Sequence, residues 1–163
     1  MVLTKLSSIH ATQLQRWGHD STMLGVYHGV NWQTHKSCHH WIENRQEIQA
    51  IDYILTGSQG NIGITSLFII PNITTAMISF AIAAEFRQQG FGRMAVKETL
   101  KVAQKLGYKK VRAVVKLDNK RSHKLLIQAG FFPIAQSDNI CTANGEDSNS
   151  MIKLVYELTL TRD

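Results

Sequence analysis

Residues 85–100, EFRQQGFGRMAVKETL, constrain this chain more than any other stretch: two glycines one residue apart separate an apolar run from a helical pattern. Gly90 and Gly92 predict a turn. Val96, Leu100, Ala103 and Leu106 then fall on one face of a helix over 91–106, with Gly107 placed to cap its end. A glycine-rich turn that enters a helix aims backbone N–H groups at one point, and the helix dipole adds positive potential there. Such a turn suits an anion, above all a phosphate. A plain turn would carry the same glycines, so the flanking elements have to decide.

Those elements predict a mixed sheet. Residues 2–7 read as a short strand, and 10–19 and 35–49 as helices rich in His, Trp and Gln. IDYILTG and IGITSLFII are strands on either side of the turn GSQGN, and Pro71-Asn72 stops the second. TTAMISFAIA is a third strand, so the spacing is that of an antiparallel meander. KKVRAVVKL is a fourth. Asp118 or Asn119 then caps a second amphipathic helix that turns Ser122, Leu125, Leu126 and Ala129 inward and ends at Gly130. FFPIAQ leads into the polar loop DNICTANGEDSNS, and MIKLVYELTL closes the chain as a strand. The fold class expected is α/β, in the sense of an α+β mixed sheet: antiparallel N-terminal strands, a central parallel crossover and flanking helices. The 163 residues suit one domain over 1–163.

Charge is concentrated in one segment. Residues 87–124 hold twelve of the 18 Lys and Arg but only two acids, Glu98 and Asp118. A block of this size suits an anionic partner, although Lys97, Lys101 and Lys105 would also make an ordinary solvated helix face. Nucleic acid is not the expected partner, because base stacking needs interleaved aromatics and the block offers little beyond Phe91 and Tyr108. The N-terminus MVLTKLSSIH lacks the apolar core of a signal peptide, and no apolar run is long enough to span a bilayer. The expectation is a cytoplasmic protein with no membrane partner, whose two cysteines, Cys38 and Cys141, are free thiols.

Gly90, Gly92 and Ala95 satisfy Gly-x-Gly-x-x-Ala, with Asp118 ending the next strand, which is a dinucleotide-binding pattern. It fails as the fingerprint of an NAD-binding oxidoreductase on two counts. AEFRQQ intervenes between the strand and the first glycine, and about 45 residues after Asp118 cannot complete a doubly wound domain.

Arg87-Gln-Gln-Gly90-Phe-Gly92 is also Arg-x-x-Gly-x-Gly, and Asn119-Lys-Arg-Ser122, Leu125-Leu126 and Gly130-Phe131 follow some thirty residues later. This pair of motifs resembles the GNAT superfamily of acyl-coenzyme-A-dependent N-acyltransferases. The resemblance runs over roughly 51–160 and is strongest over 76–132. AMISFAIAAEFRQQGFG and the early HHWIE look most like the branch that acetylates ribosomal-protein N-termini and related amines.

The resemblance implies a GNAT fold and direct acetyl transfer from acetyl-CoA, or another acyl-CoA, to a primary amine. The acceptor would be a protein N-terminus, an amino sugar or a small amine. The amides of Gln88, Gln89, Gly90, Phe91, Gly92 and Arg93 would bind the coenzyme A pyrophosphate. The strand end at Ile82 and Ala83 would pair with the pantetheine arm, and Arg87, Arg93 and nearby lysines would neutralise phosphate charge. Asn119 would contact the cofactor near its reactive end, and Ser122 would protonate the leaving thiolate or merely pack. A homodimer is compatible with the family. A basic RNA-binding module on the same scaffold is the alternative kept beside the enzyme.

Two family positions depart from the pattern. Where many members carry a Glu base this chain has Met77 and Ser79, and where many carry a Tyr acid it has Leu126. Glu85, an ordered water or His28 remain to take the amine proton. His35, Cys38, His39 and His40 lack a second ligand cluster, so no metal is expected. Cys141 has no context as a nucleophile.

Overall fold

The structure, a computed structural model, describes residues 1–27, 30–69, 74–137 and 153–161. The strands are β1 (Val2–Lys5), β2 (Ala50–Gly57), β3 (Gly60–Phe68), β4 (Thr75–Ile82), β5 (Lys110–Lys116), β6 (Phe132–Ser137) and β7 (Lys153–Thr159). The helices are α1 (Ala11–Trp17), α2 (Ser21–Val26), α3 (His35–Glu47), α4 (Phe91–Lys105) and α5 (Lys120–Gln128). The strands form one sheet in the order β1-β2-β3-β4-β5-β7-β6. Every pairing is antiparallel except β4 with β5. This is the mixed sheet the sequence predicts, with its parallel crossover made by α4.

Strand alternation sends side chains to the two faces of the sheet. On one face Ile54, Ile64 and Ala81 pack against Leu14, Trp17, Met23 and Tyr27 of α1, α2 and the residue that ends α2. On the other, Leu67, Ala76, Ile78 and Val111 meet Val96 and Ala103 of α4 and Leu126 of α5. Leu106 leaves the face expected of it: α4 ends at Lys105 and Leu106 is half exposed. The first helical region also differs. The chain breaks after Trp17 and restarts as α2, where the Asp20 carboxylate accepts from the amides of Thr22 and Met23. Asp-Ser-Thr is an N-cap signal, but six residues containing Gly25 are too short for periodicity to reveal. Pro71-Asn72 lies outside the described residues.

The parallel pair governs function. β4 and β5 are in register at only three positions, Thr75 with Lys110, Ala76 with Val111 and Met77 with Arg112. Beyond them β4 continues on β3 as far as Ile82, and β5 continues on β7 as far as Lys116. The sheet therefore opens into a gap between two strands that each keep their outer partner.

Part of the basic block is tied into this sheet. Lys110 Nζ and Arg112 Nε donate to the two oxygens of Glu157, each at 2.8 Å. These two cations hold the Glu157 carboxyl below the usual carboxylate range. Both are 44% exposed, so solvent screens the interaction. Glu157→Gln is expected to cost about 1 kcal/mol at neutral pH. Because the folded pKa is depressed, that stabilisation exists above the unfolded pKa and vanishes as pH falls through the folded one. Urea titrations of both proteins should differ at neutral pH and converge below pH ~3.

Candidate functional site

β4 passes through a single 3-10 turn, Ala84–Phe86, into the glycine loop. Gln88 has φ 62° and Gly90 φ 84°, both left-handed. Such backbone is strained at Gln88 and natural at Gly90. α4 then begins at Phe91 without a side-chain cap, and its first internal bond runs from the Met94 amide to the Gly90 carbonyl at 3.3 Å. Among the described residues, the amides of Gln88, Gln89, Gly90, Phe91, Gly92 and Arg93 meet no protein acceptor. Six successive unsatisfied donors at the positive end of a fifteen-residue helix form a cradle for an anion.

The two glycines serve different ends. A Cβ on Gly90 would meet nothing within 4 Å, so its requirement is conformational. A Cβ on Gly92 would lie 2.8 Å from Leu125 Cδ1, the free end of a side chain that can shift, so Gly92 sits against α5 without the conformational demand of Gly90.

The cradle stands at the mouth of the strand gap. Ala83 N–H donates to the Ile62 carbonyl at 2.9 Å, which sets the alternation along β4. Odd-numbered residues bond to β3, and Ile78, Phe80 and Ile82 turn their backbone groups to the gap. Phe80 and Ile82 therefore carry the backbone groups on the gap side, with the Ile82 carbonyl held by Arg87 Nε, while the Ala83 N–H is turned to β3. Ala83 is fully buried, with its carbonyl accepting from Phe86 N at 2.9 Å.

Charge around the cradle is also redistributed. Arg87 Nε donates to the Ile82 carbonyl at 2.9 Å, and its terminal nitrogen donates to the Asp20 carboxylate. Lys101 pairs with Glu98 at 2.8 Å. Arg93 and Lys97 on α4 and Lys120, Arg121 and Lys124 on α5 are exposed.

Asn119 caps α5, its Oδ1 accepting from Ser122 N at 3.1 Å, and Ser122 is half-buried on the first turn. His123 fixes the same turn: its Nε2 faces the Lys116 carbonyl at 3.0 Å and its Nδ1 the Tyr156 hydroxyl at 2.9 Å. With Nε2–H donating to that carbonyl, Nδ1 accepts the Tyr156 proton. Leu126 is fully buried core, so the tyrosine position of the resemblance has no polar group here. Ser79 lies opposite Ser66 on β3, with its buried Oγ close to the Tyr27 hydroxyl.

Glu85 is exposed and lines an 820 Å³ cleft with Trp17, Asp20, Gln59 and Arg87. His28, Cys141 and the loop 138–150 lie outside the described residues. His35 and His39 meet edge to face with ring centroids 4.5 Å apart, and among the described residues no group of three His, Cys, Asp or Glu could hold a metal ion. No described helix is long and apolar enough to cross a membrane.

Residues 1–132 match the family model described as an acetyltransferase (GNAT) domain. No curated protein matches the chain. Similar solved structures include a ribosomal-protein-alanine N-acetyltransferase from Brucella melitensis, with TM-score 0.74 and 16% identity over 98% of this chain and 100% of that one. The spermidine N-acetyltransferase from Vibrio cholerae, solved with CoA and spermine, has TM-score 0.81 and 15% identity over 97% and 94%. The microcin C7 self-immunity acetyltransferase, solved with acetyl-CoA and AMP, has TM-score 0.77 and 18% identity over 97% and 92%.

Proposed function

The chain belongs to the GNAT acetyltransferase family, and from that premise we propose that it moves an acetyl group from acetyl-CoA directly to a primary amine. The observation that carries the reading is the run of six unsatisfied amides from Gln88 to Arg93 at the head of α4. A pyrophosphate would receive these donors with the helix dipole behind them. Phe80 and the Ile82 N–H would pair with the pantetheine arm along the gap side of β4, the Ile82 carbonyl being held by Arg87. Arg93, Lys97 and the exposed cations of α5 would meet the remaining phosphate charge. The fold and ligands of the two CoA-bound neighbours support this placement.

In the transfer, the neutral amine attacks the thioester carbonyl, the C–S bond breaks, and the amine proton leaves as the thiolate is protonated. Asn119 orients the start of α5 through its cap, and Ser122 on that turn is the side chain proposed for the thiolate. Neighbours named for a ribosomal-protein alanine and for spermidine support an amine acceptor, drawn from protein N-termini, amino sugars and small amines. The continuous sheet from β1 to β7 supports reading residues 1–163 as one domain. A cytoplasmic location accords with the buried Cys38 thiol, which donates to the Trp32 carbonyl.

Calorimetric titration with acetyl-CoA, using NAD and a short RNA as controls, tests the reading. Binding of acetyl-CoA alone is expected, whereas NAD or RNA binding in its place would reject it. Initial rates with an accepted amine should then give intersecting lines in a two-substrate analysis. An acyl burst without amine would mean a covalent intermediate and would overturn direct transfer.

A further inference from the structure

The amide cradle has little backbone bonding of its own to fix its shape. Its six amides have no protein acceptor among the described residues, and the loop is tied by the Arg87 amide on the Ala84 carbonyl, by Gln89 Nε2 on the Glu85 carbonyl at 2.9 Å, and by the Arg87 side chain. Arg87 stands immediately before the left-handed Gln88. Its guanidinium reaches two places together: the Ile82 carbonyl at the end of β4, and Asp20, 67 residues earlier in the chain. A planar fork of donors can do this, whereas a lysine ammonium on its flexible stem is poorly suited to it.

Asp20 is itself held fast. Its Oδ1 accepts from Thr22 N at 3.0 Å and Met23 N at 3.3 Å, which leaves Oδ2 for Arg87. α2 is anchored by Met23, and the residue ending it, Tyr27, is equally buried in the same core. The loop is thus stapled to the helical layer on the opposite face of the sheet from α4. With Asp20 neutralising it, Arg87 is placed to hold the cradle rather than to touch an anion in it.

We infer that Asp20 and Arg87 are a positioning pair, which sets the geometry of the 88–93 amides from outside the anion site. The inference rests on reading those amides as the coenzyme A cradle. The pair is partly exposed, 27% for Arg87 and 18% for Asp20, so it contributes little to global stability. Its effect should appear in cofactor affinity instead.

Asp20→Asn keeps a good cap for α2 and removes the charge. Arg87→Lys keeps the charge and removes the fork. Each is expected to raise the Kd for coenzyme A by about tenfold, and the double variant by little more than either one, as for two parts of one device. KM for acetyl-CoA should rise with it, while kcat at saturating acetyl-CoA, KM for the amine and the melting temperature stay near wild type. A wild-type Kd in Asp20→Asn, or losses that simply add in the double variant, would overturn the pairing. So would an equal rise in amine KM. A wild-type protein that does not bind coenzyme A would instead reject the cradle itself, and the inference with it.

Discussion

Gly90→Asp is expected to abolish coenzyme A binding while the chain stays folded. The position is open, since an added Cβ meets nothing within 4 Å, so sterics alone would pass any small side chain. Its φ of 84° imposes about 1 kcal/mol of strain on an L-residue, and Asp tolerates that region better than most. What changes is charge. Two unit charges about 5 Å apart repel by about 3 kcal/mol at an effective dielectric near 20. That is more than about a hundredfold in Kd, and a carboxylate in the cradle would also compete for the amides. Gly90→Ala carries comparable backbone strain without the charge. Calorimetry should therefore find the alanine variant binding near wild type and the aspartate variant not at all. If both variants bound normally, the 88–93 amides would not be the anion site. If both failed, loop conformation would outweigh electrostatics.

What could be read in advance follows from the range of the interactions involved. The meander β2-β3-β4, the amphipathic α4 and the Asn119 cap are encoded within a few residues, and period and turn chemistry reveal them. The gap is not encoded so locally. Both strands stay largely apolar past Met77 and Arg112, through Phe80 and Ile82 on β4 and Ala113 and Val115 on β5, so nothing in either strand marks where their pairing stops. The partner Arg87 meets in the fold, Asp20, is 67 residues away, so no local pattern reveals the pair. The choice between Ile82 and Ala83 as the gap edge depends on parity against β3, which the pairing with Ile62 fixes and the sequence does not.

Arg45 and Asp52 illustrate the same limit and carry the largest expected effect on stability. Their side chains are 4% and 2% exposed, and Arg45 Nε and its terminal nitrogen donate to the two carboxylate oxygens at 2.8 Å each. The guanidinium lies over the rings of Trp41 and Phe68, each 4.9 Å from centroid. Asp52 can only accept, so Ser66 Oγ donates to it, and the Ser66 oxygen accepts in turn from the Tyr27 hydroxyl at 3.0 Å. Burial, with the nearby Asp52 charge, pushes the Tyr27 hydroxyl up, which keeps it a donor throughout the working pH range. Asp52→Ala would strand a buried cation and leave the Ser66 hydroxyl without its acceptor. Such a loss costs about 3–5 kcal/mol, a large share of a domain's stability. Arg45→Met together with Asp52→Leu removes both charges and is expected to recover most of it. Denaturant midpoints measure the contrast. The pair bridges α3 and β2, away from the cradle, so coenzyme A affinity per folded molecule should not change in any of these variants. A double variant as unstable as Asp52→Ala would show that the stability resides in the hydrogen-bond network to Ser66 and Tyr27 rather than in compensation of the buried charge.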